Sequence, residues 1–250
     1  MRLHGKVAIV TGAGGGVGRG IALALAAEGA DLVLAGRTPA SLDDCRREIE
    51  ALGRRALGAR CDVGVADDLG ELVAATLREF GRLDVLVNNA AFVPHGTLLE
   101  ISEDDVEAAL RTGPLAALRL MRLCHPHLRG GGSIINISSA VAVAPSSNNR
   151  GVYAAAKAAL NAISRTAANE WGPDGIRVNV LMPFARTEAL DRFLADEPDY
   201  AATLTSGVPL GRIGDPRADI GAAAVFLASS ESGYITGATL PVDGGLAYIR

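Results

Sequence analysis

A doubly wound α/β domain, a parallel sheet covered on both faces by helices, is expected for this chain on two observations. Short apolar runs at residues 7–10, 32–35, 85–87, 134–137 and 178–181 are continuous rather than alternating, as suits strands buried on both faces. Longer stretches of helical periodicity separate them, and a helical connector between strands implies a crossover and hence parallel pairing. One connector reads clearly. Thr38 is placed to cap it, Pro39 takes the first helical position, Leu42, Cys45, Ile49 and Leu52 recur at helical spacing, and Gly53 ends it.

The 250 residues fit a single domain spanning 1–250, with no linker and no internal repeat. Residues 188–208 break the alternation with short apolar and acidic pieces around Pro198, and are expected to lie over a sheet edge as a lid within that domain. With 24 basic against 28 acidic residues the net charge is −4, and no block of like charge offers a face to a polyanion, so nucleic acid is not an expected partner. Cys45, Cys61 and Cys124 are odd in number and lack zinc-site spacing, which favours reduced thiols and a cytoplasmic setting. The apolar run at 7–10 is too short for an export signal and no run approaches the ~20 residues of a membrane span, so neither export nor a membrane is expected.

Directly after the first apolar run stands Thr11-Gly12-Ala13-Gly14-Gly15-Gly16-Val17-Gly18, and an alanine- and leucine-rich helix follows. A strand, a glycine turn and a helix start bring free N–H groups and the positive helix end toward a pyrophosphate. A tight strand-to-helix turn is the plainer reading. At the end of the second run, Gly36-Arg37 carries no carboxylate for the ribose hydroxyls, and a guanidinium there suits the extra phosphate of NADP over NAD, against the alternative of a solvated arginine. Asp62, in Cys61-Asp62-Val63, is positioned either to accept from the adenine amino group or to cap a loop.

Further on, Tyr153 and Lys157 stand four residues apart, a spacing that puts phenol and ammonium on one helix face. A fixed cation favours phenolate and is expected to draw the tyrosine below its ordinary ~10, toward proton exchange at neutral pH. The pair alone carries little weight, since solvated helices often show it by chance.

Taken in order, these motifs resemble the short-chain dehydrogenase/reductase family across essentially the whole chain. The likeness rests on the turn from Thr11 to Gly18, on Asn88-Asn89-Ala90, on Ser139, Tyr153 and Lys157, and on Asn179, Pro183, Thr187, Gly237 and Asp243-Gly244-Gly245. The resemblance implies a Rossmann domain that transfers hydride between nicotinamide and a carbonyl or alcohol carbon. Tyr153 would exchange the proton with substrate oxygen, Lys157 would lower the tyrosine's pKa and bind the nicotinamide ribose, and Ser139 would hydrogen-bond the substrate oxygen. Cofactor contacts implied are Gly12, Gly14, Gly15, Gly16, Val17, Gly18, Arg37, Asp62, Val63, Asn89, Ala90, Tyr153, Lys157, Pro183 and Thr187. A homotetramer formed through the helices around 110–123 and 153–171 is implied as well. The gap between tyrosine and lysine is that of carbonyl-reducing members, so the activity expected is an NADPH-dependent carbonyl reductase or alcohol dehydrogenase acting on a small molecule. 3-Oxoacyl thioesters, sugars, steroids and simple ketones all remain open. The alternative is an NADP-binding regulatory or structural protein with impaired catalysis.

Four positions depart from the family pattern. Gly113 stands where a catalytic asparagine is usual, and Pro114 beside it is expected to kink the helix and free the carbonyl of Leu110. Ala91 and Phe184 each replace a glycine, and the interval from Ser139 to Tyr153 is one residue longer than usual. The longer loop, 145–150, ends in Arg150 and either receives a polar or anionic substrate or is simply a solvated turn. His125-Pro126-His127 has no third ligand at metal spacing, so no catalytic metal is expected, and Glu103-Asp104-Asp105 after Ser102 reads as a helix start.

Overall fold

The computed structural model describes residues 1–144, 149–196 and 204–247, with no side-chain description for 189, 192, 193 and 196. The apolar runs become the centre of a seven-stranded, wholly parallel sheet. Its strands are β1 (Val7–Thr11), β2 (Asp31–Gly36), β3 (Ala56–Arg60), β4 (Val85–Asn88), β5 (Ser133–Ile137), β6 (Arg177–Pro183) and β7 (Thr239–Val242), in the order β3-β2-β1-β4-β5-β6-β7. Every residue of β1, β4 and β5 is buried, as continuous apolar runs require.

Helices cover both faces: α1 (Gly16–Ala27), α2 (Pro39–Ala51), α3 (Ala66–Phe80), α4 (Glu103–Leu110), α5 (Ala116–Leu128), α6 (Gly151–Trp171), α7 (Glu188–Asp196) and α8 (Ala222–Ala228). Two separate apolar cores result. Ala8, Val10, Leu32 and Leu34 pack with α1, α2 and α8, while Ile9, Val33 and Ala35 pack with α3, α5 and α6. Alternate strand residues thus feed opposite layers, the three-layer arrangement of a doubly wound domain.

The order reverses between β1 and β4, whose pairing sets Ala8 against Val85 and Val10 against Val87. The connections leaving the two strands diverge there, opening a crevice at their carboxyl ends. At the opposite end, the buried Asp84 accepts from Val7 N at 2.9 Å, Lys6 Nζ at 3.1 Å and Arg82 Nε at 2.8 Å. Burial alone would raise this carboxyl, but the donors outweigh it and hold it below its ordinary value.

Three local expectations need correction or completion. Thr38 does stand before α2, yet its side chain caps nothing; its carbonyl instead accepts from Ser41 Oγ at 2.9 Å, and Leu52 with Gly53 closes the helix. Pro114 produces no break between α4 and α5. It lies in a π-helical turn, Arg111–Leu115, where Ala116 N–H reaches back five residues to Arg111, and the wider turn absorbs the missing donor. β3 and β7 are less apolar than the other strands and form the two edges of the sheet. Ser102 caps α4 as expected, its Oγ accepting from Asp105 N at 3.1 Å.

Of the expected lid, the first part is α7; residues 197–203 lie outside those described, as do 145–148 of the expected longer loop. All three cysteines are free and buried, and burial pushes the Cys45 and Cys61 thiols up to about 11. Among the described residues no helix is long and apolar enough to cross a membrane.

Candidate active site

The crevice is held open by a clasp between the ends of β1 and β4. Thr11 Oγ1 accepts from Asn89 N at 2.9 Å and Ala90 N at 3.0 Å, and Asn89 Nδ2 donates back to the Thr11 carbonyl at 2.9 Å. This fixes the glycine turn against the next strand's loop. Gly12 has φ +67 and an added Cβ would come within 2.7 Å of Asn89 Nδ2; at Gly18 it would lie 2.3 Å from the Gly12 carbonyl oxygen. The turn therefore packs at a distance only glycine permits.

The groove beside this turn has a volume of about 350 Å³ and is lined by Gly12, Gly36, Arg37, Asp62, Val63, Asn89 and Ala90, among others. These residues, scattered across the first ninety positions, come from the carboxyl ends of four neighbouring strands, β3, β2, β1 and β4. Arg37 is exposed at the rim. Asp62 serves the loop as well, since its Oδ1 accepts from Gly64 N at 2.9 Å. Val17 instead packs against the core, so only its backbone faces the helix start.

Whether an anionic cofactor fits can be tested on the helix end itself. The Gly16 N–H at the start of α1 donates to Glu188 Oε2 at 3.2 Å, so this amino terminus already receives an anionic oxygen. Thr187 Oγ1 accepts from Leu190 N at 3.2 Å, starting α7, and its methyl lies against Gly16. The start of α7 is thereby laid on the glycine turn. Pro183 ends β6, and Phe184 lines a second cavity of about 610 Å³ with Pro209, Leu210 and Val242.

Ser139, Tyr153 and Lys157 converge at the end of β5. Ser139 follows that strand in extended backbone, and a side-chain hydrogen bond joins it to Tyr153. Lys157 is 4% exposed, its Nζ sits 5.5 Å from the centroid of the Tyr153 ring, and it donates to the Ile137 carbonyl at 2.6 Å. Burial lowers its pKa from 10.5 to about 8.

The expectation that Lys157 lowers Tyr153 is not met by the protein's own groups. Burial pushes the phenol above its ordinary value, and the opposing influences are the charge of Arg150 and the Ser139 hydrogen bond. The physical reason is that Lys157 is itself desolvated, and its ammonium is directed at the strand carbonyl.

Two features escaped the sequence reading. Asn136, fully buried in β5, accepts from Asn88 Nδ2 at 2.8 Å and donates to Ser164 Oγ at 2.8 Å, tying β4, β5 and α6 together beneath the site. Its signal was a lone amide inside an otherwise apolar run. The other feature is Glu188 on Gly16, which no local pattern announces. At Gly113 an added Cβ would meet nothing nearer than Ala156 Cβ at 3.8 Å, and a small void of about 10 Å³ separates Gly113 from Lys157. His125 pairs with Asp174 at 2.9 Å and packs edge-on to Trp171, and among the described residues no group of three or more metal-ligating side chains is assembled.

A family model described as enoyl-(acyl carrier protein) reductase matches residues 12–247. A 12alpha-hydroxysteroid dehydrogenase of Clostridium sp. is 41% identical over 97% of this chain and 96% of its own length. A 3-oxoacyl-[acyl-carrier-protein] reductase FabG of Thermotoga maritima is 34% identical over 98% of this chain and 99% of its own. The solved structure of a protein from Sinorhizobium meliloti 1021, described as a short-chain alcohol dehydrogenase, superposes with a TM-score of 0.92 at 33% identity, covering 98% of this chain and 97% of that one. The chain belongs to the short-chain dehydrogenase/reductase family. It is an oxidoreductase, of a family whose members use NAD(P) and act on small molecules.

The buried lysine has a measurable consequence. Because its folded pKa is about 8 against 10.5 in the open chain, the unfolded state holds more protons between those values and stability rises with pH across that window. Below pH 8 the charge is buried at full cost. Lys157→Met is therefore expected to stabilise the protein by about 2 kcal/mol at pH 7, a gain that shrinks toward pH 10. Thermal melts of both proteins at pH 7 and pH 10 check this; a variant less stable at pH 7 contradicts it.

Proposed function

We propose that this protein is an NADPH-dependent carbonyl reductase, or in reverse an alcohol dehydrogenase, in which Tyr153 exchanges the proton with the substrate oxygen. The observation that carries the reading is the convergence of Ser139, Tyr153 and Lys157 at the end of β5, next to a crevice whose helix end accepts an anionic oxygen. When bound, the nicotinamide supplies or accepts the hydride. Every other task falls to the chain. Gly14, Gly15 and Gly16 with the amino end of α1 receive the pyrophosphate, Arg37 receives the 2′-phosphate, and Asp62 and Val63 hold the adenine. Asn89, Ala90, Pro183 and Thr187 line the path to the nicotinamide.

As the carbonyl carbon takes hydride, negative charge grows on its oxygen, and the hydroxyls of Ser139 and Tyr153 are the donors that stabilise it. Tyr153 then gives up its proton. A phenol raised by burial is well suited to hold that proton until the oxygen develops charge. With the dinucleotide in place, the ammonium of Lys157, 5.5 Å from the ring centroid, would then steady the phenolate left behind, a change from the protein alone, where burial prevails. Glu188 leaves Gly16 when a phosphate takes its place, so α7 moves as the lid of residues 188–208. The names of two relatives, a hydroxysteroid dehydrogenase and a 3-oxoacyl reductase, support a secondary alcohol and ketone pair. Retention of Ser139 and Tyr153 together favours this over a purely regulatory NADP-binding protein. A cytoplasmic homotetramer, paired through the helices around 110–123 and 153–171, completes the proposal.

Oxidation of NADPH with a panel of ketones that includes a 12-oxo steroid and a 3-oxoacyl thioester tests the activity. Tyr153→Phe is expected to lose about 10³-fold in kcat while still binding NADPH; turnover within threefold of native contradicts the assigned role. Arg37→Ala is expected to weaken NADPH about tenfold and NADH less than about twofold. Equal effects on both cofactors, by fluorescence titration, would mean that Arg37 reads no phosphate.

A further inference from the structure

Arg150 is the residue before α6, three positions ahead of Tyr153, and its carbonyl accepts from Ala154 N at 2.8 Å. Its side chain is half-buried, and Nε is out of water with no hydrogen-bond partner among the described residues. Its charge is felt at the Tyr153 phenol. A guanidinium donor withdrawn from solvent without an acceptor is costly, and in a native structure it calls for a partner that arrives from outside.

The surroundings say what else that partner carries. Gly96 N donates to the Asn149 carbonyl at 2.9 Å, and Leu98 lies over Gly151, near enough that an added Cβ would come within 2.8 Å of Leu98 Cδ2. The segment after β4 is thus folded against the start of α6. Leu98 is 75% exposed, and Val143, four residues past Ser139, is 46% exposed. Exposed apolar side chains therefore stand on the segment folded against the start of α6 and on the turn that follows Ser139. A single guanidinium balances one negative charge, which matches a carboxylate; a phosphate monoester carries nearly two.

We infer that Arg150 is a substrate-binding residue that pairs with a carboxylate, so that the substrate is an apolar ketone or secondary alcohol bearing a carboxylate. This rests on the carbonyl-reductase reading and deepens it. Arg150 sets specificity and orientation; it takes no part in the proton or hydride transfer.

The test uses the full chain saturated with NADP⁺, with decanoate, decan-1-ol and decyl phosphate as probes in calorimetric titrations. Native protein is expected to bind decanoate at least as tightly as decyl phosphate. Arg150→Gln is expected to weaken decanoate about tenfold or more while changing decan-1-ol less than about twofold, and Arg150→Lys to fall between. The inference is overturned by no decanoate binding to native protein, by equal losses for acid and alcohol, by no loss for either, or by a preference for decyl phosphate. Reduction of 9-oxodecanoate and its methyl ester with NADPH supplies the kinetic arm. Arg150→Gln should raise KM for the acid about tenfold relative to its effect on the ester, since any change it makes through the Tyr153 phenol is common to both substrates and cancels in their ratio. If neither compound is reduced, the carbonyl-reductase reading is what suffers, and the binding contrast still decides Arg150.

Discussion

Thr11 joins two strands that diverge immediately beyond it, and the geometry of the crevice follows from that junction. Its hydroxyl oxygen holds two successive N–H groups of the β4 loop, while Asn89 returns a hydrogen bond to the β1 carbonyl. Side-chain and backbone groups satisfy one another at the point where the sheet changes direction and the pairing of β1 with β4 has ended. Because Asn89 is drawn in this far, Gly12 and Gly18 have no room for a side chain. The helix end, the glycine turn and the β4 side of the groove are positioned by the same few bonds.

Above this frame the site concentrates groups held in costly states. Lys157 is buried as a cation, Tyr153 is pushed toward its protonated form, and an Arg150 nitrogen is dry and unpaired among the described residues. At Asp84, by contrast, three donors meet a buried charge. The contrast follows from physical chemistry: groups that must change partners during a reaction cannot be fully satisfied before it. Glu188 on Gly16 is the exception, a satisfied contact at the amino end of α1.

Much of the frame was legible in the sequence because burial on both faces leaves a continuous apolar run, and five of the seven strands show one. β3 and β7 do not, since edge strands are only partly covered. The glycine turn and the spacing of Tyr153 and Lys157 were equally plain, being local. What failed was whatever depends on surroundings. The direction of the Tyr153 shift is decided by how deeply α6 is covered, which four-residue spacing cannot report. Pro114 announces a distorted helix without saying that the distortion is a π-helical turn, and Thr38 looks like a cap but leaves that work undone. Asn136 and Glu188 make their contacts across the fold, 28 residues from Ser164 and 172 from Gly16 respectively.

The account stands or falls on whether Tyr153 becomes a working acid and base once the dinucleotide is in place. Phenolate absorbance, followed against pH with NADP⁺ bound and taken as the difference between the native chain and Tyr153→Phe, reads this directly, with Tyr200, Tyr234 and Tyr248 common to both. A Tyr153 that ionises below ~9, moved down from its position in the protein alone, is the predicted result. A phenol that stays at or above ~10 with the cofactor bound would contradict the role assigned to it and to Lys157.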